Sequence, residues 1–484
     1  MAASERLLNA DLAPTTDRTW RTYDLFAMWM SDIHSIGGYT FAAGLFFLGL
    51  VAWQVLVALV VGIIIAFLAV NLSGIAGQKL GVPFPVLSRI SFGLFGANIP
   101  ALTRAIIAIA WYGIQTYLAS VAILVLVLRV SPSVGTSSLY RSDLLGLSYL
   151  GWICFLIIWV IQLLVLSRGM ETVRRYQDWA GPLVWVVMLA LMVWLLVLAG
   201  GKINLNLSSK TLSSGQAVLA FFTAISLVVA YFSTLMLNFC DFSRFAPTRR
   251  SVIVGNLLGL PVNFTAFAVV SVLVTAATIT VFGKAITDPV LIVSKVPNTA
   301  VLVLGAAMFA VATIGINIVA NFVSPAYDLA NVAPKYINFQ RGGLIAAVVS
   351  IVVMPWKIYA NPVAVNYFLG GLGALLGPLF GIIFLDYFLI RRQKVDVDDL
   401  YREGTSSPYW YQGGVNPRAL AAFIPAAAVS LIVALLPALG SAAPFSWFIG
   451  AGLGAGIYWI LSAVPAPGRR PAPTRVAPSP GGQG

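Results

Sequence analysis

The chain predicts an all-α integral membrane protein with twelve transmembrane helices, and three observations carry that reading. Of its 484 residues 60% are hydrophobic and 9% charged, with a mean hydropathy of +0.92, a balance that soluble domains do not show. Twelve apolar runs of about the length needed to cross a hydrocarbon core follow one another along the sequence. Counted from a cytoplasmic N terminus, about 22 of the 29 Lys and Arg fall on the inner side, as the positive-inside rule requires. The remaining seven are Arg129, Arg141, Lys202, Lys210, Lys284, Lys295 and Lys357. The net charge of +13 therefore sets topology and does not mark a nucleic-acid partner.

The stretch before the first span, residues 1–22, is polar and reads as a cytoplasmic tail with no signal-like run. The runs fall at 24–49, 52–72, 100–128, 145–167, 181–200, 216–239, 252–281, 299–324, 342–359, 366–390, 418–439 and 443–464. Residues 23–464 form the membrane domain, and the Pro/Gly-rich basic stretch 465–484 reads as a disordered cytoplasmic tail. Between the second and third spans, Phe84, Leu87, Ile90 and Phe92 need an apolar surface, which predicts a structured connection. Cys154 and Cys240 both fall at apolar runs and imply no disulfide framework. One histidine and two cysteines cannot build an ordinary structural zinc site, and the chain carries no P-loop. A membrane-bound enzyme would need a nucleophile–base pair or a metal cluster, and the sequence offers neither.

Span one carries Ser31, Asp32, His34, Ser35 and Gly37-Gly38 in its middle. A charge at the centre of a membrane helix costs roughly 2.5–3.5 kcal/mol on insertion scales, so it faces water or a partner. The glycine pair weakens the helix at the same depth and frees carbonyls that a cavity or an ion must satisfy. Polar groups, a helix break and midplane depth together suit a solute site; a tight helix crossing with one buried charge is the alternative. In span three Trp111 and Gln115 stand one turn apart on one face. A flat indole and an amide suit a planar heterocycle with adjacent C=O and N–H groups, although a membrane glutamine can equally join helices. In span six Tyr231 and Phe232 sit at mid-depth, while Asp241 and Arg244 have the spacing of a helix-end ion pair. Span eight brings Asn317, expected to pack helices, and Asn321, expected to touch a ligand. Span ten opens with Gly370, Gly371, Leu372 and Gly373, which read as flexible or closely packed.

The segments WYGIQTY (111–117), LNFCDFSRFA (237–246), ATIGINIVANFVSPAYD (312–328), LGPLFGIIFLDYFLIRR (376–392) and DDLY (398–401), in this order, resemble the nucleobase–cation symporter-1 family, which includes bacterial uracil, cytosine, allantoin and hydantoin permeases. The resemblance implies a LeuT-type fold, with inverted five-helix repeats at about 23–200 and 216–390 and extra helices within 418–464. It implies alternating access, with spans 1, 2, 6 and 7 moving against spans 3, 4, 8 and 9, and an outer gate hinged at Gly370–Gly373. It places the stacking tryptophan on Trp111, the ring-reading amides on Gln115 and Asn321, an aromatic wall on Tyr231 and Phe232, and a first-span polar ligand on Ser35. A serine there, where hydantoin and allantoin carriers resemble one another in a longer amide, favours uracil or a related pyrimidine, with purines, allantoin and hydantoin as alternatives.

For the cation, the resemblance implies carbonyls of Ser31, His34 and Ala312 and two hydroxyls at positions held here by Gly315 and Ile316. Neither can supply a side-chain oxygen, so a hard cation loses two of about five ligands. Only a weak sodium site remains, and Asp32 beside it can titrate, which makes a proton the competing coupling ion. The expectations that follow are import of a nucleobase across a bacterial-type inner membrane by a monomer with both termini cytoplasmic, no cofactor, no nucleic-acid partner and the lipid bilayer as surroundings.

Overall fold

The computed structural model describes residues 4–205 and 210–463; the expected tail at 465–484 lies outside them. Among the described residues the fold is all-α apart from one two-residue hairpin pair, Asp143–Leu144 with Leu147–Ser148, and an isolated bridge between Gln412 and Val415. Among the described residues nine helices are long and apolar enough to cross a membrane, and Ile36–Leu48, Tyr149–Val165 and Phe339–Val352 are shorter apolar helices. Each of the twelve apolar runs falls on one of these elements.

In chain order the principal helices are α1 (Thr22–Ile33), α2 (Ile36–Gly44), α3 (Ala52–Leu80), α4 (Phe84–Phe92), α5 (Asn98–Val130), α6 (Tyr149–Leu166) and α7 (Met170–Leu198). The second half repeats the pattern with α8 (Ser214–Tyr231), α9 (Ser233–Asn238), α10 (Arg249–Leu257), α11 (Thr265–Phe282), α12 (Thr299–Ile316), α13 (Val323–Val332), α14 (Phe339–Val352) and α15 (Pro362–Leu385). Helices α16 (Pro417–Leu435) and α17 (Ser446–Ala463) close the chain. The first helix of each half is interrupted, between α1 and α2 and between α8 and α9. Wide π turns join α10 to α11 at Leu258–Phe264 and α12 to α13 at Asn317–Phe322.

Helix α7 begins eleven residues before the predicted apolar run. Its first turns are held by Glu171, Arg174, Arg175 and Asp178, paired at i,i+3 and i,i+4, with Arg174 also 2.7 Å from Asp24. Such pairs sustain a helix that hydropathy does not register. Helix α3 likewise runs past residue 72, because Gly74 and Gly77 let it lie against Phe239 and Cys240; a Cβ at Gly77 would stand 2.5 Å from Cys240 Cα. The expected connection between spans two and three is α4, with Phe84, Leu87, Ile90 and Phe92 all buried.

The N-terminal segment is not a free tail. Leu7, Leu12 and Trp20 are buried, and Trp20 stacks on Phe245 with centroids 5.6 Å apart. Arg89 of α4, fully buried, donates to Leu7 O, Leu400 O and Asn331 Oδ1, and Tyr401 Oη donates to Leu12 O. The backbone of this segment supplies carbonyls to buried arginines, while Glu5, Arg6, Thr16, Asp17 and Thr19 stay exposed.

The pair expected between Asp241 and Arg244 is not formed. Asp241 accepts from the Phe84 N–H and from Asn238 Nδ2, while Arg244 donates to Asp11 O and Tyr327 Oη. Residues 371–373 lie inside unbroken α15, while the surroundings of Gly370 are outside the described residues. Close backbone approach occurs further along that helix: Cβ atoms at Gly377 and Gly381 would stand 2.3 and 2.1 Å from Trp447 O and Ala451 O of α17. Small residues let membrane helices make such contacts.

Candidate functional site

The two helix interruptions open on one cavity of about 320 Å³. After α1, Ser35 is extended at φ −134° and ψ 166°, and its Oγ accepts the Gly38 N–H at 2.9 Å to cap α2. A Cβ at Gly38 would lie 2.3 Å from Ile33 O, so the last carbonyl of α1 can fold over the new helix only where no side chain stands. The break therefore falls at His34-Ser35, ahead of the glycine pair, and Gly37-Gly38 form the first turn of α2. In the second half Phe232, at φ −91° and ψ 2°, separates α8 from α9.

The cavity wall holds Asp32, Trp111, Gln115, Tyr231, Phe232, Ile316, Asn321 and Leu372 from the sequence-based set. Gln115 is 4% exposed and its Oε1 has no protein partner. Its amide lies against α2, with Nε2 3.4 Å from where a Gly37 Cβ would be. Asn321 donates through Nδ2 to Asn317 Oδ1 at 3.0 Å, and the Asn317 amide is turned into a helix-joining cluster with Tyr112, Thr116 and Gln162. Asn317 thus joins helices, and Asn321 stands in the cavity wall. Phe232 is wedged between Trp29 and Phe264, with centroids 6.2 and 5.3 Å away, and Tyr231 stacks on Phe41 at 4.5 Å and 20°. Trp111 is half-buried, 5.6 Å from the Phe368 ring.

Among the expected substrate-binding residues Ser35 is the exception. It is buried, spends its hydroxyl on the helix cap and is not among the lining residues. Gly37, Thr40, Phe41 and Tyr359 line the cavity instead. No spacing rule marked Thr40, Phe41 or Tyr359, because their position follows from where the chain bends.

Around the expected cation position, Ser31 Oγ donates to Gln177 O at 3.4 Å. The His34 ring is locked between Gly181 O and Asn263 Oδ1 at 3.2 and 3.0 Å, which ties the end of α1 to α7 and the π turn at Leu258–Phe264. Helix α12, carrying Ala312, packs on α1. Gly315 faces the break: a Cβ there would stand 3.5 Å from Ser31 O. A hydroxyl at this place would point at the site, and none is present; Ile316 offers an apolar side chain to the cavity. Asp32 is 3% exposed, its Oδ1 has no partner, and no Lys or Arg lies within 4.0 Å of it among the described residues. Arg104, fully buried in α5, donates to Ala320 O. Among the described residues no group of three or more His, Cys, Asp or Glu could hold a metal ion.

Broken helices at matching places in two halves, meeting on a small cavity with an aromatic wall and two amide side chains, define a secondary transporter. The sequence places it further. A family profile described as permease for cytosine/purines, uracil, thiamine, allantoin matches residues 13–451. The chain is 41% identical to an allantoin permease of Bacillus subtilis over 96% of this chain and 95% of that one. It is 36% identical to a purine-uracil permease of Arabidopsis thaliana over 86% and 70% of the two chains. Among solved structures it resembles the nucleobase–cation–symport-1 transporter MHP1 in a closed conformation with bromovinylhydantoin bound, at a TM-score of 0.76 and 26% identity over 94% and 95% of the chains. This chain belongs to the nucleobase–cation symporter-1 family: it is a multi-pass membrane permease with the LeuT-type fold, and not an enzyme.

Proposed function

We propose that this permease imports a small heterocycle bearing a cyclic amide edge, as uracil, hydantoin and allantoin do, across a bacterial-type inner membrane with both chain ends on the cytoplasmic face. The observation that carries this reading is the placement of Gln115, whose Oε1 has no protein partner, and Asn321 beside Trp111 in one cavity. An aromatic face holds the ring, and the amides recognise its N–H and C=O groups; a ring without them leaves buried polar atoms unmatched. Uracil is the ligand the sequence favours, and the relative named as an allantoin permease supports allantoin as the second reading. Binding of both to the purified protein by calorimetry decides between them, and failure of every cyclic-amide ring to bind rejects the class.

Transport proceeds by alternating access, with α15 around Gly370–Gly373 swinging as the outer gate and Leu372 at the cavity wall. Coupling is to protons through Asp32. A buried ionised carboxylate with no partner is costly, and a proton or a cation bound together with substrate relieves that cost. Gly315 and Ile316 supply no oxygen for sodium, which favours the proton. In proteoliposomes an imposed proton gradient should drive accumulation by the wild type; Asp32→Asn should abolish accumulation and retain substrate exchange. Steep sodium dependence lost in Asp32→Asn would make the carboxylate a sodium ligand, and sodium dependence unchanged by the substitution would remove Asp32 from coupling.

A further inference from the structure

Behind Asn321 lies a chain of polar side chains whose donor and acceptor roles are set by one backbone carbonyl. The Thr116 hydroxyl donates to Tyr112 O, one turn earlier in α5, at 2.7 Å, which leaves Oγ1 an acceptor. Gln162 of α6, fully buried, donates through Nε2 to that oxygen at 3.4 Å and so turns Oε1 towards Asn317. Asn317 Nδ2 thus meets three acceptors: Gln162 Oε1 at 2.7 Å, Tyr112 O at 3.0 Å and Thr116 Oγ1 at 3.0 Å. Turning the Asn317 amide over would press its oxygen against Tyr112 O, which has no proton to give. Its Oδ1 therefore faces Asn321 and accepts from Nδ2 at 3.0 Å. Asn321 Oδ1 then accepts no hydrogen bond from any described residue, and Asn321 stands in the cavity wall. The π turn at Asn317–Phe322 holds both asparagines, at the kind of helix irregularity found at functional sites.

We propose that Thr116, Gln162 and Asn317 are positioning residues that fix Asn321 as a hydrogen-bond acceptor, so that the site selects rings presenting an N–H at that point and rejects rings presenting an acceptor there. The inference rests on the reading of Trp111, Gln115 and Asn321 as the ring site. Three residues that need not touch the ligand set the polarity of one that does. Loosening them lets the Asn321 amide turn and offer its NH2 group, which reverses the preference without emptying the cavity.

The test uses the purified full-length protein and titration calorimetry with uracil, hydantoin and their ring-oxygen analogues, in which one N–H at a time is replaced by O. This exchange hardly alters size but turns a donor into an acceptor. The wild type should bind one parent about 10- to 100-fold more tightly than the analogue altered at the position facing Asn321. In Asn317→Ala that ratio should fall at least about fivefold, with parent affinity reduced less; in Gln162→Leu, where Tyr112 O still holds the Asn317 amide, it should fall by less. Gln162→Glu, which keeps an acceptor towards Asn317, should retain the ratio. A merely structural role would weaken parent and analogue together and leave the ratio unmoved. If Asn317→Ala does not fold, Asn317→Leu, which keeps the size and removes the acceptor facing Asn321, carries the same measurement. A wild-type ratio in these variants, with the ratio lost in Asn321→Ala, overturns the relay and keeps the site. A wild-type ratio in Asn321→Ala overturns the site reading and the relay with it.

Discussion

Trp111, Gln115 and Asn321 were legible as cavity-wall residues because each stands one helical turn from another polar or aromatic residue in a membrane span. Cavity-facing aromatics support little of the fold, so Trp111→Ala should abolish uptake while membrane abundance stays near wild type, and Trp111→Phe should keep part of the activity. Radiolabelled uptake normalised to immunoblot checks both, and wild-type affinity in the alanine variant rejects the stacking role. Ser35 sits off the cavity lining for a physical reason: its hydroxyl oxygen caps the free N–H groups at the start of α2. Ser35→Ala should therefore lower thermal stability by about 0.5–2 kcal/mol, with ligand affinity falling only as far as stability does. An affinity loss well beyond the stability loss, read by calorimetry beside thermal unfolding, would return Ser35 to the ligand. Gln162 was beyond sequence reasoning, since its partner is 155 positions away and helix spacing speaks only of neighbours.

Apolar runs marked every span, but the ends moved wherever packing or charge pairing replaced hydropathy, as at the start of α7 and the end of α3. The interruption in the first span was legible as a concentration of polar and glycine residues; its position was not, because the requirement at Gly38 comes from a carbonyl five residues earlier folding back onto it. Gly38 is the position where the element depends on the absence of a Cβ. Gly38→Val should straighten or distort the α1–α2 junction, remove substrate binding and lower the melting temperature. Gly37→Ala, whose Cβ would find its nearest neighbour at 3.4 Å, should fold and change affinity mainly through Gln115. Equal behaviour of the two variants in binding and melting experiments would mean that Gly38 is not the constraint.

The whole molecule is tied at the face bearing the N-terminal segment. That segment looks like a polar tail in sequence, because its contacts are carbonyls given to Arg89 and Arg244 and a few apolar side chains set in a long-range surface. Trp20 stacks on Phe245 and Asp11 O holds Arg244, just beyond α9, so the segment grips the end of the broken sixth-span helix that must move if this face is to open. Hydrogen bonds to charged groups contribute about 1.5–3 kcal/mol each, enough to bias a conformational equilibrium whose states differ by a few kcal/mol. Cys240, fully buried between Gly77 and Ser73, reports on that opening. In a Cys154→Ser background, removal of residues 4–20 should speed maleimide labelling of Cys240 at least about tenfold, as expected for losing roughly 1.4 kcal/mol of bias. Arg244→Lys, which keeps the charge but loses the planar fork, should give a smaller increase. Labelling at the wild-type rate in the truncated protein, with melting temperature unchanged, would show that the segment covers this face without holding it closed.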